Sequence, residues 1–122
     1  MSETPRTASA ERFAKRISII KGVDRFALVR NDGRVVTHNM SDPDEFARMV
    51  TTCGVSAMTL CKPLGVSQLK QIILDRPNNC NIIIFQLYKY FLGIQKNGNT
   101  DQDAVILEVS HLLRQMVQTR TH

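Results

Sequence analysis

The sequence contains no tryptophan, and its aromatic residues are five Phe and two Tyr, 6% of the chain. Phe85, Tyr88, Tyr90 and Phe91 lie within an apolar stretch rather than among Lys and Arg, so they suit a core better than a platform for stacking bases. Nucleic acid is therefore not the expected partner. Cysteine is scarce: Cys53, Cys61 and Cys80 are odd in number and widely spaced, which argues against a disulfide framework and suits a reducing compartment. There is no C-x-x-C pair, and the histidines lie far from the cysteines, which disfavours zinc. No apolar run reaches the ~18 residues that a membrane span needs. The first residues, MSETPRTASAERF, have no hydrophobic segment of the secretory kind, so a cytoplasmic location is expected.

Catalytic signatures are missing too. There is no G-x-x-x-x-G-K-[ST] loop, no G-x-G-x-x-G after a strand and no G-x-S-x-G elbow, so no cofactor is expected and the chain does not read as an enzyme. His38 could serve as a general base only if folding joined it to Cys53 or Asp42, and it reads as an exposed strand-end residue. His111, near Glu108 and Gln115, reads as solvent-facing. Cys53 falls on a packed helical stripe and reads as an inert buried thiol, with Cys61 eight residues further along the same helix.

What is present fits one domain: 122 residues, 43% hydrophobic and 22% charged. A chain of this length buries about two-thirds of the surface that its unfolded form exposes, enough for one modest core. The net charge of +5 is unevenly placed. Residues 1–34 hold eight Lys/Arg against four Asp/Glu, a balance of +4, whereas residues 35–122 hold eight against seven, a balance of +1. The N-terminal basic residues are interrupted by acids and form no run, which reads as a solvated face.

Residues 1–10 are small and polar and are expected to form a disordered tail, with a single domain over 11–119 and a frayed end at 120–122. Phe13, Ile17 and Ile20 recur at helical spacing and predict a helix over 10–23 that Gly22 ends. Two β-rich runs, 25–30 and 34–38, flank Asn31-Asp32-Gly33, a strong hairpin signal because these residue types tolerate positive φ. A second helix starts at Asp42-Pro43-Asp44-Glu45, with Asp42 as cap and Pro43 in the first turn. Its stripe is Phe46, Met49, Val50, Cys53, Ala57 and Leu60, with Ala47, Gly54 and Met58 beside it and Val55 opposite, and Pro63 and Gly65 close it. Gly54 costs about 1 kcal/mol relative to Ala inside a helix, so either it is tolerated or something packs closely there. Strands follow at 69–74, 81–87 and 91–95, the last two joined by a tight reversal at Tyr88-Lys89-Tyr90. Thr100 caps a closing helix whose stripe is Val105, Val109, Leu112, Leu113 and Met116. The order is α-β-β-α-β-β-β-α, an α+β sandwich.

An open sheet has two edges, each with unpaired backbone donors and acceptors. The run Leu69 to Leu74, bracketed by Pro63, Gly65 and Pro77, is the candidate edge, protected by one lysine. If it meets its own symmetry mate, an isologous dimer forms. The expected contact residues are Ala47, Gly54 and Met58 on the second helix and Leu69, Gln71 and Ile73 on the strand.

The first helix running into Ile20-Lys-Gly-Val23, the hairpin Phe26-Ala-Leu-Val-Arg-Asn-Asp-Gly-Arg-Val-Val36, the Met/Gly/Ala-containing second helix, three further strands and the amphipathic closing helix together resemble a Roadblock domain. This family includes dynein light chains and prokaryotic regulators of Ras-like GTPases. The resemblance covers about residues 11–118. It implies a five-stranded antiparallel sheet with one helix on one face and two on the other, and a dimer with itself or a similar chain through the second helix and third strand. It also implies an adaptor role or modulation of a small Ras-like GTPase. The reversal at Tyr88-Lys89-Tyr90 lacks the glycine-rich turn often seen in the family. No residue stands out as an arginine finger, so binding is implied rather than supply of a catalytic charge. Two alternatives differ in class: a small-molecule sensor of profilin- or PAS-like topology, requiring an enclosed pocket, and a nucleic-acid binder using the basic N-terminal third.

Overall fold

The computed structural model describes residues 5–66 and 69–120. Its elements are α1 (Pro5–Ser18), β1 (Val23–Arg30), β2 (Val35–His38), α2 (Asp44–Cys61), β3 (Gln71–Leu74), β4 (Ile82–Leu87), β5 (Tyr90–Lys96) and α3 (Gln102–Arg120), with short 3-10 turns at Lys62–Leu64 and Pro77–Asn79. The five strands form one antiparallel sheet in the order β2-β1-β5-β4-β3, so the element order and sheet match the expected α+β class. Residues 1–4 and 121–122, parts of the expected tails, lie outside the described residues.

Alternation along the strands builds two cores. Phe26 and Leu28 of β1, Ile83 and Phe85 of β4, and Leu92 and Ile94 of β5 face one side, where Phe13, Ile17 and Ile20 meet Val105, Val109, Leu112 and Leu113 of α3. Ala27, Val29, Ile82, Ile84 and Phe91 face the other side, under Ala47 and Val50 of α2. One helix therefore covers one face and two cover the other. Both faces of β4 are buried, which explains its unbroken run Ile82-Ile-Ile-Phe85.

Several boundaries differ from the sequence expectation for physical reasons. Helix α1 starts at Pro5, a residue suited to a first turn, inside the segment expected to be tail. It stops at Ser18, because the chain must turn into β1. Gly22 has φ +97° and lies so close to Thr100 that a Cβ would sit 2.6 Å from its methyl group. Helix α2 begins at Asp44 with Pro43 as the N-cap, and the Asp44 amide donates to Asp42 Oδ1 at 3.3 Å. At α3 the capping oxygen belongs to Asp101, whose Oδ2 accepts from the Ala104 amide at 3.1 Å. The Thr100 hydroxyl donates instead to Asn97 Oδ1 at 2.7 Å. Strand β3 is shorter than expected and starts at Gln71.

Lys96 ends β5 with only 3% of its surface exposed. Its Nζ donates to the carbonyls of Asn97 and Thr100, both at 3.0 Å, and so holds the loop that leads into α3. The Asn97 amide donates to Gly22 O at 2.9 Å, tying this loop to the exit of α1.

Candidate partner-binding surface

Helix α2 is only half supported by the sheet. Ala47, Val50 and Gly54 are its buried residues, and from Val55 onward no residue is buried, although Val55, Ala57, Met58 and Leu60 are apolar. Two close approaches fix the supported half. A Cβ on Gly93 of β5 would lie 2.3 Å from Val50 Cγ2, and one on Gly54 would lie 2.6 Å from the Phe91 ring. Beyond Gly54 the helix overhangs.

The overhang carries exposed apolar side chains into the following turn. Leu60 is 74% and Leu64 78% exposed, and Val55, Met58 and Val66 are also open to solvent. Gly65, in the left-handed conformation with φ 79°, reverses the chain there. Val55, Met58, Thr59, Cys61, Lys62, Gly65, Val66 and Leu69, with Asn31 from the β1–β2 turn, line an open groove of about 710 Å³. Two hydrogen bonds set its walls. The Leu69 amide donates to Gln86 Oε1 at 2.9 Å, and the Asn31 amide donates to Lys89 O at 2.7 Å, stitching the β1–β2 turn to the β4–β5 turn.

Strand β3 is adjacent and forms one edge of the sheet, with β4 as its single neighbour. Ile73 pairs with Ile83, so Gln71 and Ile73 face the α1/α3 side, and Ile73 remains partly exposed there. A surface with an unfinished helix, an apolar groove and an open strand edge is suited to another polypeptide.

Neither a protein-family model nor a curated protein matches the sequence. Solved structures do match in shape. Myxococcus xanthus MglB superposes with a TM-score of 0.84 at 10% identity, covering 99% of this chain and 94% of that one. A Roadblock/LC7 domain from Streptomyces avermitilis gives 0.74 at 12% identity, with 88% and 93% covered. MglB in a tetrameric arrangement gives 0.78 at 13% identity, with 97% and 92% covered. The chain has the Roadblock/LC7 fold.

On this Roadblock fold the expected contact residues separate into three groups. Met58 and Leu69 meet in the groove. Gln71 and Ile73 lie on the edge strand. Ala47, 2% exposed, and Gly54 face the chain's own sheet, a correction to their expected place at a seam. Small residues on a helix permit close approach on whichever side they face, and here that side holds Phe91 and the sheet. Val55, Leu64, Val66 and Asn31 were not singled out as contacts. The visible signal for Val55 is its position opposite the inner stripe, and for Leu64 and Val66 the placement of apolar residues around Pro63 and Gly65.

Among the described residues, no group of three or more His, Cys, Asp or Glu side chains is placed to hold a metal ion. His38 Nδ1 accepts from the Met40 amide at 3.0 Å, which leaves its proton on Nε2. The three cysteines are unpaired thiols, each partly buried. Asp32 accepts from the Arg34 amide at 3.1 Å, and this bond, aided by the neighbouring Arg30 and Arg34 charges, holds its carboxyl below the usual aspartate range. It orders the hairpin turn. The second described pocket, about 270 Å³ at the β2 edge, is lined by Gly33, Val35, Asp44, Ala47, Arg48, Thr51 and Thr52. Both of these grooves open at the surface along α2.

Proposed function

We propose that this chain is a non-enzymatic regulatory module that pairs with a second copy of itself and presents the pair to a small Ras-like GTPase. The observation that supports this most is the coincidence, on one side of the molecule, of the α2 overhang, its groove and the β3 edge. Antiparallel pairing of β3 with its mate would satisfy the open ladder, and the mate's own α2 would cover Val55, Met58 and Val66. The likeness in shape to a tetrameric MglB supports self-association. The GTPase as client rests on the resemblance to the Roadblock family.

Light scattering tests the pairing. The wild-type chain is expected at twice its 13.8 kDa, and Val55→Asp/Met58→Asp at 13.8 kDa with an unchanged circular dichroism spectrum. A wild-type mass of one chain at micromolar concentration would reject it. Val55 and Met58 are suitable probes because they are exposed, whereas a bulky residue at Gly54 would strike Phe91 and damage folding instead. Capture of purified small GTPases in their GDP and GTP-analogue forms, by wild type but not by the double variant, tests the client.

A further inference from the structure

The groove and edge do not account for the other face of the molecule, where α1 turns a different stripe to solvent. Arg12, Lys15, Arg16 and Ile19 follow one another at i, i+3, i+4 and i+7 from Arg12, which aligns them along one side of the helical path. All four are exposed, as is Lys21 just beyond. Among the described residues the ion pair formed is Arg30–Asp32, so none of these cations is matched to a carboxylate. Arg16 donates to the Gln115 carbonyl oxygen, a neutral partner.

Helix electrostatics explains part of the pattern: Lys15 and Arg16 lie in the last turn, where cations complement the negative end of the dipole. It does not explain Ile19, which is 83% exposed although Ile17 and Ile20 on either side are buried. An aliphatic side chain standing outward among four cations gains nothing in water and nothing on a phosphate backbone.

We infer that the outer face of α1 binds the surface of an anionic phospholipid bilayer, with Arg12, Lys15, Arg16 and Lys21 on the headgroups and Ile19 entering the boundary of the acyl chains. Three observations favour this occupant. The charge is complementary to acidic lipid. The combination of a basic face and a projecting aliphatic residue is that of interfacial helices. Arg12, Lys15, Arg16, Ile19 and Lys21 are all exposed, so they stand on the outside of α1 and its exit rather than in a cleft shaped to a peptide. Because α1 packs on the opposite side of the sheet from α2, a chain seated this way leaves the groove free. The inference does not depend on the proposed pairing or client.

Sedimentation of the full chain with vesicles tests it. Mixed phosphatidylserine and phosphatidylcholine vesicles should carry the protein down, pure phosphatidylcholine vesicles should not, and added salt should release it. Arg12→Glu/Lys15→Glu/Arg16→Glu should lower binding by about a hundredfold or more, and Ile19→Asp should weaken it with the charges intact. All four positions are exposed, and circular dichroism checks that the variants are folded. If the triple variant does not fold, the wild-type salt response and Ile19→Asp still decide. No sedimentation with anionic vesicles at low salt, equal binding to neutral vesicles, or full binding by the folded triple variant would each overturn the inference. So would preferential binding to a duplex oligonucleotide or to polyglutamate in competition with the vesicles, which would point to nucleic acid or to an acidic protein.

Discussion

Gly93 and Gly54 set how closely α2 approaches the sheet, and their substitution separates two opposing effects. Alanine is favoured over glycine in regular structure by about 0.5–1 kcal/mol. A Cβ at Gly93, however, would sit 2.3 Å from Val50 Cγ2 in a core where Val50 is fully buried. Overpacking of that kind costs about 1–3 kcal/mol, so sterics should win. Gly93→Ala is expected to destabilise the fold by this amount in urea denaturation. Val50→Ala should be less harmful in the Gly93→Ala background than in wild type, with a coupling of about 1 kcal/mol or more. Strict additivity would show that the helix shifts away instead. The closeness at Gly54 was legible as an interior helical glycine needing a reason. Which side it faced was not, because a residue without a side chain leaves no hydrophobic signal of direction.

At the scale of elements, periodicity and turn chemistry located every helix and strand. The Asn31-Asp32-Gly33 hairpin forms as its residues require, with Gly33 at φ +93°. The reversal at Tyr88-Lys89 forms without glycine because Tyr88 itself adopts φ 56°, and Leu87 pairs with Tyr90 directly across it. Ends were less legible. Capping can be supplied by either of two adjacent oxygen-bearing residues, and at α3 Asp101 takes the place expected of Thr100. The length of the α2 overhang was not legible at all, since helical spacing continues through Leu60 whether or not a sheet lies beneath it. Leu60→Gln distinguishes the two situations. A core leucine reduced to a small residue costs about 2–5 kcal/mol, whereas an exposed position away from special features stays within about 0.5 kcal/mol. The chain is expected to tolerate Leu60→Gln on the second scale, while Val50→Ala, beneath the supported half, produces a clear loss of stability in the same denaturation experiment.

At the scale of the whole molecule the two proposed contact surfaces are the α2 overhang with the β3 edge and the outer face of α1, whose helices pack on opposite faces of the sheet. If the first side is closed by a second copy, folding and association are linked by mass action. The thermal midpoint of the wild type should then rise with protein concentration, and that of Val55→Asp/Met58→Asp should not. A wild-type midpoint independent of concentration would contradict the pairing. The surface that supports this prediction was only partly legible: Met58 and Leu69 come from separate segments, and the groove between them depends on the Leu69–Gln86 bond and the turn at Gly65.

The placement of β5 next to β1, and of α3 beside α1, has a consequence for how the chain is made. The earliest strand obtains its central neighbour only from residues 90–96, and the face formed by Phe13 and Ile17 finds its cover in Val105 and Val109. A nascent chain therefore carries its first helix and hairpin without their lasting neighbours until Val105 and Val109 have been made, and the native core cannot close before then.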